Sequence, residues 1–279
     1  MSWYKKGTSL LQEIQETNFS ENLLPFWYIG QMGIILKWNE KIIYIDPVLA
    51  DLADNDGNTR RYYQSPYKAT DAYADYIFCT HDHRDHMNQE TLLGMTSCNP
   101  NVKIVIPKPL KPQLLAWGIS ETYLISLTQG ETIFLGENAS VTGIETAHDT
   151  YQYDEDENSL TLGYLFHFNE IKLFHSGDTM LTQKMLDTLK QNSPIHTLML
   201  PINGSDIIRD SKNIIGNMNA KDAAIVASEL QANLTIPLHY DMVYGNEENP
   251  LLFAHYMEKI VNDKRYHIMR LGERFLFAI

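Results

Sequence analysis

Residues 76–86 read Tyr-Ile-Phe-Cys-Thr-His-Asp-His-Arg-Asp-His, an apolar run passing without a break into a cluster of histidines and carboxylates. The run through Tyr76, Ile77 and Phe78 has the aromatic and β-branched character of a buried strand, so the cluster is presented at a strand's carboxyl end. In an extended segment His81, His83 and Asp85 share a face, because successive side chains alternate. In a loop leaving the strand, the same spacing lets the chain wrap an ion. Neutral imidazoles and a carboxylate suit zinc, and also manganese or iron. The chain has ten histidines, and three of them stand at 81, 83 and 86. A metal site explains that concentration better than a polar loop that happens to hold them. Structural zinc sites more often draw on cysteine, and both cysteines, Cys79 and Cys98, lie outside the cluster. A catalytic site with open coordination positions is expected.

Ligands this close in sequence cannot complete two metal shells, so other loops must contribute. Three candidates follow expected strands: His148 after 140–144, Asp178 after 171–174, and His239 after 234–238. Gly177 lets the chain turn tightly beneath the Asp178 carboxylate. Further strands are predicted at 102–106, 131–135, 161–168, 197–200 and 274–277, and helices at 112–117, 181–191, 220–230 and 249–261. Asn219 is the expected N-cap of the third of these helices. Residues 26–37 and 41–45 are aromatic and β-branched, and Asn39-Glu40 between them suggests a hairpin. Residues 49–70 form a polar loop of a length that is usually functional or mobile. Leu10, Leu11 and Ile14 mark a short helix within an N-terminal extension, residues 1–22. Strand pairs followed by strand–helix alternation, in both halves, predict two sheets packed together with helices outside. No Pro/Gly/Ser linker divides the halves, so 1–279 is read as a single domain.

The net charge of −13 argues against a nucleic-acid surface, which needs clustered Lys and Arg. It leaves room for an anionic small substrate, because bound divalent cations reverse the local field. Two cysteines make no disulfide framework and fit a reducing compartment. The opening Met-Ser-Trp-Tyr-Lys-Lys-Gly leads into no apolar export segment, and no apolar run is long enough to span a bilayer. A cytoplasmic protein without a membrane partner is expected. Its partner is a small-molecule substrate, and a homo-oligomer is left open.

His-Asp-His-Arg-Asp-His resembles the His-x-His-x-Asp-His signature of the metallo-β-lactamase superfamily. Ile45-Asp46-Pro47, His148, Ser176-Gly177-Asp178 and His239 follow its other elements in order. Residues 27–33 (Trp-Tyr-Ile-Gly-Gln-Met-Gly), 174–178 (Phe-His-Ser-Gly-Asp) and 237–241 (Pro-Leu-His-Tyr-Asp) look like the branch that contains the L-ascorbate-6-phosphate lactonases. The resemblance implies an α/β (α+β) fold, a four-layer αββα sandwich with the site at one edge of the two sheets. It implies two divalent ions, zinc or manganese. His81, His83 and His148 would hold one, and Asp85, His86 and His239 the other, with Asp178 bridging. Asp85, Asp178 and His239 would be the catalytic residues. A water shared by two cations loses a proton near neutral pH, and the expected reaction is hydrolysis of a lactone or ester of a sugar acid that can be phosphorylated. A phosphodiesterase on the same site is the alternative, and a non-catalytic metal-bearing sensor or binding protein the non-enzymatic one.

Asp46 and Asp82 are expected to hold the far nitrogens of ligand histidines. Asn203 is expected to hydrogen-bond a substrate oxygen, and Arg209 or Lys212 to hold a phosphate. Arg60-Arg61 is a second candidate anion clamp, with a solvated surface charge as the plainer reading of these cations. Tyr240 and Tyr244 are candidates to line the pocket.

Overall fold

Asn39 and Glu40 both have positive φ, 44° and 63°, the backbone of a two-residue hairpin turn. They join β2 (Gly33–Trp38) to β3 (Lys41–Ile45), so the expected hairpin is present. The expected single stretch 26–37 is not. It breaks at Gln31-Met32 into β1 (Leu23–Gly30) and β2, paired antiparallel with Gly30 opposite Gly33. A Cβ at Gly30 would sit 2.1 Å from the Tyr63 hydroxyl, so only glycine fits there.

The computed structural model describes residues 2–18, 22–53, 57–211, 214, 216–261 and 265–278. The chain divides into two compact units, Met1–Leu127 with Met269–Ile279, and Thr128–Ile268. The first adds β4 (Tyr76–Phe78), β5 (Lys103–Pro107), β6 (Leu124–Leu127) and β14 (Arg274–Ala278) to the hairpin, in sheet order β14-β1-β2-β3-β4-β5-β6. The second holds β7 (Thr132–Gly136), β8 (Ala139–Glu145), β9 (Leu162–Phe168), β10 (Ile171–His175), β11 (Thr197–Pro201), β12 (Leu234–Leu238) and β13 (Arg265–Tyr266), in order β13-β12-β11-β10-β9-β8-β7. The two sheets share one topology. In the first, β14-β1-β2-β3 is antiparallel and β3-β4-β5-β6 parallel. In the second, β7-β8-β9-β10 is antiparallel and β10-β11-β12-β13 parallel.

That pattern fixes which strand ends share an edge. β1, β3, β4 and β5 run in one direction, so Gln31, Asp46 and the histidine cluster leave the first sheet at the same side. β8, β10, β11 and β12 likewise run together, which delivers the loops of His148, Asp178, Asn203 and His239 to one edge of the second. Loops outside the carboxyl ends of parallel strands are where open α/β sheets place their chemistry.

Helices α1 (Thr8–Glu16), α2 (Gln89–Cys98) and α3 (Lys111–Ala116) bury Leu10, Ile14, Leu92, Met95 and Leu114 with Trp27, Ile35, Tyr44, Ile77 and Ile104 of the first sheet. In the second unit α4 (Gln183–Gln191), α6 (Ala220–Leu230) and α7 (Pro250–Ile260) do the same with Leu165, Phe174 and Leu198; α5 (Ile207–Asp210) is a single turn. Every residue of β2, β11 and β12 is buried, which is why these strands read as continuous apolar runs. Asn219 caps α6 as expected, accepting from the Lys221 and Asp222 amides while Asp222 reaches back to the Asn219 amide. Pro237 is tolerated because, among the described residues, β13 pairs with Leu234 and Thr235 and not with Pro237. Among the described residues no helix is long and apolar enough to cross a membrane.

Four of these elements were not expected: α2, α5, β6 and β13. α2 carries Thr91, Gly94, Thr96 and Ser97, which blur its apolar stripe. It forms because Asn88 caps it, accepting from the Thr91 amide at 2.9 Å, and because Gly94 lets it close on Ala69. A Cβ at Gly94 would lie 2.7 Å from the Ala69 Cβ. A helix-interior Gly→Ala change normally gains about 1 kcal/mol. Here Gly94→Ala is expected to destabilise instead, by roughly 1–3 kcal/mol of overpacking. Urea unfolding reads the sign, and a stabilised variant would mean that α2 is not held against Ala69.

Candidate metal centre

In the first unit the candidate donors rest on a carboxylate whose partners are protein groups. Asp46, fully buried at the end of β3, accepts from the Thr80 amide (2.8 Å) and the Thr80 hydroxyl (2.7 Å). His86 Nδ1 lies 2.8 Å from its Oδ2. The carboxylate can only accept, so His86 Nδ1 carries the proton and Nε2 is the lone-pair nitrogen. The same logic passes through Thr80. Its hydroxyl proton goes to Asp46, so its oxygen accepts from His81 Nδ1 at 3.0 Å, and His81 also presents Nε2. One carboxylate thus fixes the tautomer of two histidines. It does so at φ 45°, left-handed backbone that is costly for a residue before proline.

Past Thr80 the loop coils on itself, with the His86 and Met87 amides both donating to the His83 carbonyl (2.9 and 2.8 Å). The turn stacks the imidazoles: the His81 ring centroid lies 4.7 Å from that of His83 and 4.1 Å from that of His86. A ring nitrogen of His81 comes within 4.8 Å of one on His83 and one on His86, and an Asp85 oxygen within 4.8 Å of a His86 nitrogen. Asp85 Oδ2 is 3.6 Å from His86 Nε2 and accepts from Gln31 Nε2 at 2.7 Å. Asp82 is exposed and, among the described residues, makes no hydrogen bond to a ligand histidine. Of the two carboxylates expected to orient histidines, Asp46 is the one that does so.

In the second unit, candidate donors come from three strand ends. β10 finishes at His175, and Ser176 and Gly177 (φ 60°) turn the chain so that buried Asp178 faces inward. The loop carrying His148 is stitched to it: the Met180 amide donates to the Ala147 carbonyl (2.7 Å) and the Ala147 amide to Thr179 Oγ1 (3.1 Å). His239 leaves β12 at φ 59°, a conformation histidine adopts more readily than most residues. Asp178 Oδ2 stands 3.1 Å from His239 Nε2 and 3.7 Å from His148 Nε2. Both imidazoles and the carboxylate are buried. Within each unit the donors are imidazole nitrogens and carboxylate oxygens, which fit divalent ions in kind.

The Beta-lactamase superfamily domain family matches residues 41–240, a span that takes in all the histidines and aspartates just described. The chain belongs to this superfamily. Its fold is the α/β metallo-β-lactamase sandwich. One relative, a UPF0173 metal-dependent hydrolase of Anoxybacillus flavithermus, is 26% identical over 250 residues, covering 88% of this chain and 96% of the relative. Among solved structures, the metallo hydrolase Igni18 of the archaeon Ignicoccus hospitalis is similar with a TM-score of 0.69 at 17% identity, over 92% of this chain and 99% of that one. An isothiocyanate hydrolase from Delia radicum gut bacteria reaches 0.71 at 17% identity, over 91% of this chain and all of its own length, 100%. Likeness at such identity speaks to the superfamily fold alone.

The residues expected around the substrate have other occupations. Arg209 donates to the carbonyls of Asn203 and Glu247 (the latter 2.7 Å) and pairs with Asp206 at 3.3 Å. It ties two loops together, and its charge is already met. Arg61 is neither a surface charge nor an exposed clamp: it is buried, donating to the carbonyls of Val48, Ala50 and Tyr63. Arg60 is exposed. Asn203 is fully buried, with its amide between Asn246 and Asn217 (2.9 and 3.1 Å). Tyr240 packs in the second unit's core beside Ile202 and Met218, while Tyr244 is exposed. Lys212 lies outside the described residues. Cys79 is buried, and burial first, then the nearby Asp46 charge, push its thiol pKa well up, as suits a core residue rather than a nucleophile.

Asp46→Ala would leave buried N–H groups of Thr80 and His86 without their acceptor and release both tautomers. Divalent-metal affinity is expected to fall about 10- to 100-fold, measured by equilibrium dialysis and elemental analysis. Binding at the wild-type level would show that the carboxylate does not orient the histidines.

Proposed function

We propose that this metal-dependent hydrolase of the metallo-β-lactamase fold opens a lactone, or a related ester, of a sugar acid that can carry a phosphate. His81, His83 and His148 would hold one divalent ion and Asp85, His86 and His239 a second, with Asp178 a ligand to both; zinc and manganese both suit these donors. The observation that carries the reaction class is the donor set itself, with Nε2 of buried His86, His148 and His239 3.1–3.7 Å from carboxylate oxygens of Asp85 and Asp178. The substrate class rests on the motifs at 27–33, 174–178 and 237–241, which resemble the ascorbate-phosphate lactonases.

Two divalent ions at such donors acidify water and polarise a carbonyl. The chain supplies the remainder. The Thr80–Asp46 relay keeps the Nδ1 protons of His81 and His86 away from the reacting side. Asp178, 3.1 Å from His239 Nε2 and 3.7 Å from His148 Nε2, would fix the attacking water's position through the ions it holds, and the proton that water releases would return to the departing alkoxide. Asp85, steadied by Gln31, holds its carboxylate in one orientation throughout.

The test is turnover of a lactone panel and of bis-p-nitrophenyl phosphate by protein loaded with zinc or manganese. Lactone hydrolysis should dominate, and Asp178→Ala should lower kcat by roughly 10²- to 10⁴-fold with the circular dichroism spectrum unchanged. Preferred cleavage of the phosphodiester would replace the substrate class. Full activity in Asp178→Ala would overturn the site.

A further inference from the structure

Gln31 is a bulky residue where glycine would be cheaper. It is the first of the two residues turning β1 into β2, its φ is 58°, and it is 1% exposed. A left-handed backbone costs a side-chain-bearing residue on the order of 1 kcal/mol or more relative to glycine. Such a cost points to something that the side chain does. The turn is also held rigidly. Tyr63 fills the space a Gly30 side chain would take, Tyr63 is itself packed edge-on by Trp3 at 5.7 Å, and the Tyr28 hydroxyl donates to the Gln31 carbonyl at 3.4 Å. From this fixed base the Gln31 amide spans to Asp85, donating Nε2–H to Oδ2 at 2.7 Å. The same oxygen is 3.6 Å from His86 Nε2.

We infer that Gln31 is a positioning residue: its amide fixes the Asp85 carboxylate and thereby sets the affinity of the ion that Asp85 and His86 share, leaving the ion of His81 and His83 untouched. The inference rests on the two-ion reading above. Asp85 is partly exposed, unlike His81 and His86, and a hydrogen bond from Gln31 narrows the rotamers its carboxylate would otherwise lose on binding. His81 and His86 have the Asp46 relay to orient them; Asp85 has Gln31. A neutral amide is suited to this work, because it orients a carboxylate without cancelling the negative charge that attracts a cation.

Two variants separate this role from a structural one. Gln31→Asn tolerates left-handed backbone and keeps an amide, but is one methylene too short to reach Asp85. Gln31→Met keeps the volume and removes the donor. Isothermal titration of metal-free protein with zinc, and separately with manganese, is the readout. Wild type should show two binding steps. In both variants the weaker-oriented ion should lose about 10- to 100-fold in affinity while the other step stays unchanged. Two unchanged steps in Gln31→Asn or Gln31→Met would overturn the role of Gln31 and leave the two-ion reading standing. A single step in wild type would overturn that reading and this inference with it. Equal weakening of both steps would mark Gln31 as a general structural residue and so contradict the inference. Should Gln31→Met fail to fold, Gln31→Asn alone decides.

Discussion

The carboxylate of Asp46 is the constraint on which the histidine cluster depends. A metal site built from imidazoles needs each ring to present the correct nitrogen, and a ring left to itself can present either. Three hydrogen bonds into one buried carboxylate settle that for His81 and His86 together and pin the end of β3 to the start of the cluster loop. The left-handed backbone at Asp46 is the cost of aiming it there. The second unit has a carboxylate at the equivalent place. Asp178 also follows the strand where an antiparallel half meets a parallel half, yet it faces two imidazole Nε2 atoms directly. One topology therefore serves twice, once to orient donors and once to supply one.

Much of this was legible in the sequence, for identifiable reasons. Largely buried strands leave apolar runs, so β4, β10, β11 and β12 announced themselves, and the histidine cluster, Asp178 and His239 follow such runs. Asn219 and Asn39-Glu40 were readable because capping and tight turns depend on a few local atoms. α2 was not, since it owes its place to Asn88 and to a glycine contact with Ala69, a partner distant in sequence. The break at Gln31-Met32 was hidden because apolar residues lie on both sides of it.

Side-chain occupations were the harder part. Asn203, Arg209, Arg61 and Tyr240 sit in loops or at strand ends where substrate contacts are common, and position alone favoured that role. What a guanidinium donates to depends on backbone carbonyls brought close by folding: Arg61 is drawn to carbonyls of its own loop, and Arg209 to carbonyls of two loops. Gln31 is the converse case. Nothing in a turn between two strands marks a glutamine as a metal-site residue until its positive φ and its reach to Asp85 are seen together.

We propose that ligands from separate strand ends form one dinuclear centre with a divided donor set. Anomalous diffraction from crystals grown with zinc or manganese measures that most directly. Two peaks per chain are predicted, one coordinated by His81, His83 and His148, the other by Asp85, His86 and His239, with Asp178 bound to both. A single peak, or peaks that leave Asp178 uncoordinated, would contradict it.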